Sequence, residues 1–248
     1  MTIKNILIIG ATSGIAEAVA RRYAASNCNF ALVGRDSAKL DVIASDLTAR
    51  GAAHVSVQQW DANDVSQATA TVASAWQNLA TVDLALIAHG SLPEQARAEE
   101  DLDYAIEQFR LNGESAVVCM LALAQHFRKQ GRGTLAVIGS VAGDRGRPSN
   151  FLYGAAKGAV EDCASGLRAS LFKQGVNLLL IKPGFVATPM TAHLELPGLL
   201  TASADQVAQD ILRAVGGGRD VLYTRWFWRW IMLIIKSIPV KIFKRLSL

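Results

Sequence analysis

Short apolar runs alternate with longer segments whose apolar residues recur every three or four positions, from one end of the chain to the other. Residues 3–9, 30–33, 54–57, 84–88, 134–138, 177–181 and 221–223 have strand length and composition. Residues 15–25, 38–49 and 65–79, lying between them, carry the 3.6-residue period of amphipathic helices. This alternation predicts βαβ units wound right-handedly into a parallel, seven-stranded sheet with helices on both faces, an α/β doubly wound fold. The longest irregular piece, 184–204, is apolar and holds two prolines, and it is expected to lie over a ligand crevice. Neither internal repeats nor a linker divides residues 1–224, which read as one domain.

The first run ends in Gly10-Ala11-Thr12-Ser13-Gly14-Ile15-Ala16 and leads into a helix. Small residues there let the backbone approach a pyrophosphate, and the helix N-terminus offers free N–H groups and a positive partial charge. A glycine turn after the first strand makes the Rossmann arrangement the leading fold. After the second run the chain reads Val33-Gly34-Arg35-Asp36. A ribose carrying only hydroxyls usually meets an acid at the end of strand 2, whereas a 2′-phosphate is accommodated by arginine. Gly34 stands where the acid is expected and Arg35 follows, so NADP(H) is preferred, with NAD(H) the other candidate. Asp36 is read as the cap of the next helix. Asp61, after the third run, is placed to accept hydrogen bonds from an adenine amine.

Tyr153 and Lys157 are four residues apart, so a helix puts them on one side, one turn apart. An ammonium held there stabilises the phenolate and lowers its pKa, which suits proton transfer in carbonyl–alcohol interconversion. Ser140 lies thirteen residues upstream of Tyr153, and Asn112 earlier still. With Gly10 and Gly14, Asp61, Ala88-His89-Gly90, Asn112, Ser140, Tyr153/Lys157 and Pro183-Gly184 followed by Thr188 all in order, residues 3–224 resemble the short-chain dehydrogenase/reductase superfamily. Two positions depart from it: Ala16 replaces the usual third glycine, and Ala88-His89-Gly90 replaces an Asn-Asn-Ala-Gly run.

The resemblance implies that Tyr153 donates a proton to a carbonyl oxygen while Lys157 binds the nicotinamide ribose and depresses the tyrosine pKa. It implies that Ser140 holds the substrate oxygen and that Asn112 supports a proton-supplying water chain. Thr12, Ser13, Ile15, Ala88, Gly90, Pro183, Gly184, Val186 and Thr188 are the remaining implied cofactor contacts. It also implies a homodimer or homotetramer. Arg145 and Arg147, between Ser140 and Tyr153, are candidates for binding phosphate or carboxylate on a substrate, with solvated loop arginines the equal alternative.

Charge changes the picture at the C-terminus. Of 25 Lys and Arg residues, six (Arg225, Arg229, Lys236, Lys241, Lys244, Arg245) fall in residues 225–248 with no acid, leaving 19 cations against 21 anions elsewhere. Three of the five tryptophans, Trp226, Trp228 and Trp230, stand among them. The longest uncharged run there, 230–235, is far short of the ~20 residues needed to span a bilayer. On a helical wheel Arg225, Arg229 and Lys236 form one stripe and Trp226, Trp230, Leu233 and Ile234 another, the pattern of a helix lying on an anionic membrane. A C-terminal arm packed on a neighbouring subunit is the competing reading. Nucleic-acid binding does not fit, because these cations interleave with tryptophans and the body is slightly acidic.

Three scattered cysteines and four scattered histidines give no disulfide or metal-ligand spacing, so no metal is expected. Residues 1–10 lack a signal-peptide layout, and a cytoplasmic protein peripheral to the inner face of the plasma membrane is expected. The arginine-bearing loop, the 150–153 approach and the tail together resemble the decaprenylphosphoryl-2-keto-ribose reductases, which implies reduction of a lipid-linked keto sugar. A 3-oxoacyl or steroid-like carbonyl reductase and a non-catalytic, membrane-attached nucleotide sensor are the alternatives.

Overall fold

The computed structural model describes residues 3–246; Met1, Thr2, Ser247 and Leu248 lie outside the described residues, so the outer end of the tail is not covered. The chain opens with β1 (Asn5–Ile9), α1 (Gly14–Ala24), β2 (Asn29–Gly34), α2 (Ser37–Ala49), β3 (His54–Gln59) and α3 (Ala68–Gln77). It continues with β4 (Leu84–Ile87), α4 (Gln95–Glu100), α5 (Leu102–Phe109), α6 (Ser115–Gln130), β5 (Gly133–Ile138) and α7 (Phe151–Phe172). β6 (Val176–Pro183), β7 (Phe185–Ala187), β8 (Thr201–Ser203), α8 (Ala204–Gly216), β9 (Val221–Thr224), α9 (Trp228–Ser237) and α10 (Val240–Phe243) complete it.

Seven strands form one sheet in the order β3-β2-β1-β4-β5-β6-β9, every neighbouring pair parallel. These are the seven runs read from the sequence, in the arrangement expected of them. Because helices cover both faces, the central strands are apolar without alternation: β4 is Leu-Ala-Leu-Ile and every residue is buried. Side chains that alternate along each strand separate into two cores. Leu7, Ile9, Ala85, Ile87, Leu135 and Val137 face α3, α6 and α7; Ile6, Ile8, Leu84, Leu86 and Ala136 face α1, α2 and α8.

Strand order reverses between β1, which pairs with β2, and β4, which leads to β5. Ligands of open α/β sheets bind outside the strand C-termini at such a switch point. Gly10 makes the close approach there: its φ is +83°, and a Cβ on it would overlap the His89 backbone nitrogen.

Two segments differ from expectation. Residues 184–204 are not irregular: β7 and β8 pair in parallel, joined through 3₁₀ turns at Pro189–Thr191 and Gly198–Leu200. Three-residue strands are too short to display a period, which is why the pattern hid them. Between α5 and α6, Arg110–Glu114 form a π-helical turn, a widening of the helix that recurs at functional sites.

α9 starts three residues later than the basic aromatic run and packs against the body. Trp228 and Met232, one turn apart, are buried with Val141, while Phe185, Tyr223, Ile231 and Ile235 pack around them. No helix among the described residues is long and apolar enough to cross a membrane.

Candidate active site

One cavity of about 530 Å³ runs along the strand C-termini, from Arg35 after β2 to Ser140, Tyr153 and Lys157 around β5 and α7. The β1–α1 loop supplies its floor through Gly10, Thr12, Ser13, Gly14 and Ile15. Ser13 is the N-cap of α1, yet its side chain makes no capping hydrogen bond. The first-turn N–H groups of α1 are therefore free for an external anion, which fits a pyrophosphate. Arg35 is exposed, lines the cavity, and its side chain has no partner among the described residues. Asp36 behaves as expected: its carboxylate accepts from the Lys39 N–H at 3.1 Å, capping α2, and it does not line the cavity. Asp61, Ala88, Gly90, Pro183, Gly184, Val186 and Thr188 all reach the cavity wall. Asp61 also holds its own loop by accepting from the Asn63 N–H at 3.0 Å. These groups suit a dinucleotide carrying a 2′-phosphate.

On α7 the spacing of four places Lys157 one turn beyond Tyr153, with its ammonium 5.8 Å from the phenol ring centroid. Lys157 is 3% exposed, and its Nζ donates to the Ile138 carbonyl oxygen at 3.1 Å. Burial brings its pKa down to about 8, opposed by the negative charge of Glu161 one turn further on. The expectation that Lys157 makes the phenol acidic is not met in the protein alone. Burial pushes the Tyr153 pKa up to about 12; the Ser140 hydroxyl draws it down, and Glu161 raises it again. A protonated phenol is the form that can donate to a carbonyl oxygen. Ser140 begins the 3₁₀ turn Val141–Asp144, and its Oγ accepts from the Ala142 N–H at 3.1 Å while still facing the cavity.

Asn112 stands in the π-helical turn, 1% exposed and not in the cavity wall. Its Oδ1 accepts from the Ser91 N–H at 2.9 Å, and its Nδ2 donates to the Gln108 carbonyl at 3.0 Å and to Ser91 Oγ at 3.2 Å. A Cβ on Gly90 would lie 2.8 Å from Asn112 Oδ1 and 3.6 Å from Lys157 Nζ, so this glycine fills the space between them. Asn112 thus anchors the loop after β4 beside Lys157, with its amide already occupied.

The two loop arginines part company. Arg147 lines the cavity with a buried Nε that has no hydrogen-bond partner among the described residues, and burial lowers its pKa. Asn150 Oδ1, also in the wall, is likewise buried without a partner. Arg145 is corrected: it does not face the cavity. Its guanidinium donates to the carbonyls of Ile235, Lys236 and Ile238 at the end of α9 and stacks 3.6 Å from the Phe243 ring centroid. Basic groups suit a helix C-terminus because its last carbonyls are unpaired.

Two features were missed in the sequence, Glu161 and Trp228, and a third, His89, stood there only as a departure from the family pattern. Glu161 continues the Tyr153–Lys157 spacing by another turn, a signal that was there to be read. Its carboxylate and Asp144 share the buried Lys182 ammonium at 2.6 and 2.9 Å, and Tyr223 and Lys236 also bond Asp144. His89, in the loop after β4, tucks its Nε2 2.6 Å from Ser115 Oγ, against the edge of Trp60; burial pushes its pKa down to about 3, so it is neutral. Trp228 lines the cavity from α9, and nothing in the tail's pattern singles it out.

A doubly wound sheet, an uncapped helix N-terminus at its switch point and a Ser–Tyr–Lys group in the same cavity define an alcohol–carbonyl oxidoreductase of the dinucleotide-binding class. The chain matches the short chain dehydrogenase family over residues 4–197 and belongs to it. It is similar to an uncharacterised oxidoreductase of Mycobacterium tuberculosis, 34% identical over 241 residues covering 97% of this chain and 96% of that protein. An uncharacterised oxidoreductase of Streptomyces coelicolor is 32% identical over 244 residues, covering 98% and 96%. Among solved structures, a short-chain dehydrogenase from Sphingobium yanoikuyae in complex with NADPH has a TM-score of 0.81 at 22% identity, with 96% of this chain and 97% of that one covered. A variant actinorhodin polyketide ketoreductase with NADPH gives 0.80 at 20% identity, with 91% and 97% covered. At those identities the likeness is one of fold.

Proposed function

We propose that the protein is an NADPH-dependent ketone reductase whose substrate is a lipid-linked, phosphate-bearing keto sugar met at a membrane surface. The observation that carries the reductase reading is the single cavity joining a free α1 N-terminus and Arg35 to Ser140, Tyr153 and Lys157. The β1–α1 loop and Arg35 would hold the cofactor's phosphates, and Lys157 its ribose. When bound, NADPH supplies hydride to the carbonyl carbon. Ser140 and Tyr153 position the carbonyl oxygen, and Tyr153, protonated throughout the neutral range, gives it a proton.

Arg147 supports a negatively charged substrate, because a half-buried guanidinium with no counter-ion among the described residues is costly until an anion joins it. The tail supports a lipid-borne one. Trp230, Leu233 and Ile234 remain exposed on the far side of α9 from Trp228, Trp226 is exposed just before the helix, and Arg229, Lys241, Lys244 and Arg245 are exposed in the same tail with no acid among them. In this reading the enzyme works peripherally on the cytoplasmic face. A 3-oxoacyl substrate is the second reading, favoured by the apolar Met190 and Leu194 in the cavity wall.

The test is NADPH oxidation by the purified protein with a membrane lipid extract and with water-soluble acyl thioesters, alongside Tyr153→Phe. Turnover of the lipid extract that Tyr153→Phe reduces by about 10²–10⁴-fold, with NADPH binding retained, is the expected result. Substantial turnover by Tyr153→Phe would refute the proton-donor role, and turnover of thioesters alone would favour the acyl reading.

A further inference from the structure

We infer that Trp228 is a specificity-determining residue of the active site, and that it selects which face of a prochiral ketone is presented for reduction. The inference rests on the reductase reading and adds to it a wall that the C-terminal helix provides.

Trp228 is 4% exposed and sits in the cavity wall beside Gly184 and Phe185. The indole lies so close to Gly184 that a Cβ there would overlap its Cε2 and Nε1. Its ring meets Phe185 edge-on, with centroids 5.6 Å apart. The side chain is therefore wedged between the β6–β7 turn and Val141, the residue that follows Ser140.

Its mounting is tied to the catalytic loop. Asp144 and Arg145 follow Ser140 by four and five positions. Asp144 pairs with Lys236 at 3.2 Å, and Arg145 gathers the carbonyls at the end of α9. Met232, fully buried one turn from Trp228, seats the middle of the helix. The loop that carries Ser140 thus also fixes where the indole stands.

The consequence is stereochemical. Once Ser140 and Tyr153 hold a carbonyl oxygen, the two carbon substituents must be told apart by the walls they meet. Trp228 offers the apolar edge of a nearly buried indole, whereas Arg147 and Asn150 hold a donor and an acceptor that lack partners among the described residues. This combination suits a ketone with one flat or ring-like flank and one anionic or hydroxylated flank. Exchanging the flanks would put an apolar group against unpaired polar atoms, which is the kind of mismatch that discriminates most strongly.

The experiment uses the full-length protein with NADPH and a panel of α-tetralone, ethyl acetoacetate and a membrane lipid extract, and reads the enantiomer ratio of the alcohols. Trp228→Ala is expected to change the α-tetralone ratio by about tenfold, with Trp228→Phe giving a smaller change in the same direction should the alanine variant not fold. Trp230→Ala, a tryptophan change on the exposed face of the same helix and outside the cavity wall, is expected to leave the ratio as in the parent. An unchanged ratio in a folded Trp228 variant, or an equal change in Trp230→Ala, overturns the inference and leaves the reductase reading standing. A parent protein that binds NADPH and reduces nothing in the panel overturns the reductase reading, and this inference with it.

Discussion

Replacing Glu161 by glutamine tests how α7 keeps its lysine charged. Tyr153, Lys157 and Glu161 occupy successive turns of one helix face, and Lys157 is buried with a single hydrogen bond, to the Ile138 carbonyl. Burial takes its pKa down to about 8, and the Glu161 carboxylate opposes that fall. Side chains four apart stand ~6 Å from each other, and two unit charges at that distance interact by about 3 kcal/mol at an effective dielectric of about 20. Only part of this reaches Lys157. Burial pushes the Glu161 pKa up to about 7, so it is mostly ionised where Lys157 titrates, but Lys182 at 2.6 Å claims much of its charge. A third of the full interaction, about 1 kcal/mol, corresponds to ~0.7 of a pH unit. The sign is definite: glutamine removes the group that favours the ammonium, so Lys157 deprotonates at lower pH. The alkaline limb of kcat/KM, which reports the free enzyme, is expected to fall through about pH 8 in the parent and ~0.7 of a pH unit lower in Glu161→Gln. Tyr153, held up to about 12, stays protonated across that window and does not confound the limb. A limb that stays in place or moves to higher pH would refute the argument.

Asp144→Asn should be more damaging to stability than Glu161→Gln, because Asp144 holds Lys182, Lys236 and the Tyr223 hydroxyl together, whereas Glu161 is paired with Lys182. The expected cost of about 3 kcal/mol lowers Tm by roughly 6–12 °C for a chain of this size, and calorimetry giving equal shifts for the two variants would contradict it. Arg35→Ala should weaken NADPH by roughly 10–100-fold, the loss of a charge-assisted hydrogen bond, and NADH far less; equal losses in titration calorimetry would remove the 2′-phosphate assignment. On the tail, Trp230→Glu together with Ile234→Glu should abolish salt-sensitive sedimentation with anionic liposomes while calorimetry shows the fold intact. If those changes break an oligomer and leave sedimentation alone, the exposed face is a subunit contact. Truncation after Thr224 is a poorer probe, since losing buried Trp228 and Met232 alone forfeits ~3–6 kcal/mol.

What the sequence made legible follows the range of the interactions involved. The seven strands could be read because central parallel strands are apolar throughout, as in Leu84–Ile87, and the β1–α1 turn because Gly10 and Gly14 are local requirements of the backbone. Asp36 could be assigned to the α2 cap because capping is a three-residue affair. Arg145 could not be distinguished from Arg147, because the difference lies in a contact across some ninety residues, with the carbonyls of Ile235 and Ile238. Nothing in the sequence around Lys182 marks it out; only folding brings Asp144 and Glu161 to it. The Tyr153 phenol was expected to be acidic from its neighbour's charge alone, whereas burial pushes its pKa up to about 12.

The same reasoning gives α9 two tasks. Its inner residues Trp228, Ile231, Met232 and Ile235 pack on the body, yet Trp230, Leu233 and Ile234 are apolar and exposed, so the helix is apolar nearly all round. Such a helix requires cover on its second side as well. At ten residues it is ~15 Å long, so a lipid surface could cover it only with the helix lying in the plane. Under our proposal that surface and the cavity are then separated by the thickness of one helix, ~10 Å. A substrate whose tail stays in the bilayer would need to lift only its head group past Trp228 to reach Tyr153. Any force that displaced α9 from the body would also withdraw Trp228 from the wall and free Arg145 and Asp144 beside Ser140. Attachment to a surface and the shape of the active site are therefore one mechanical problem in this fold, and variants of the outer face that leave Trp228 seated are the ones that separate the two.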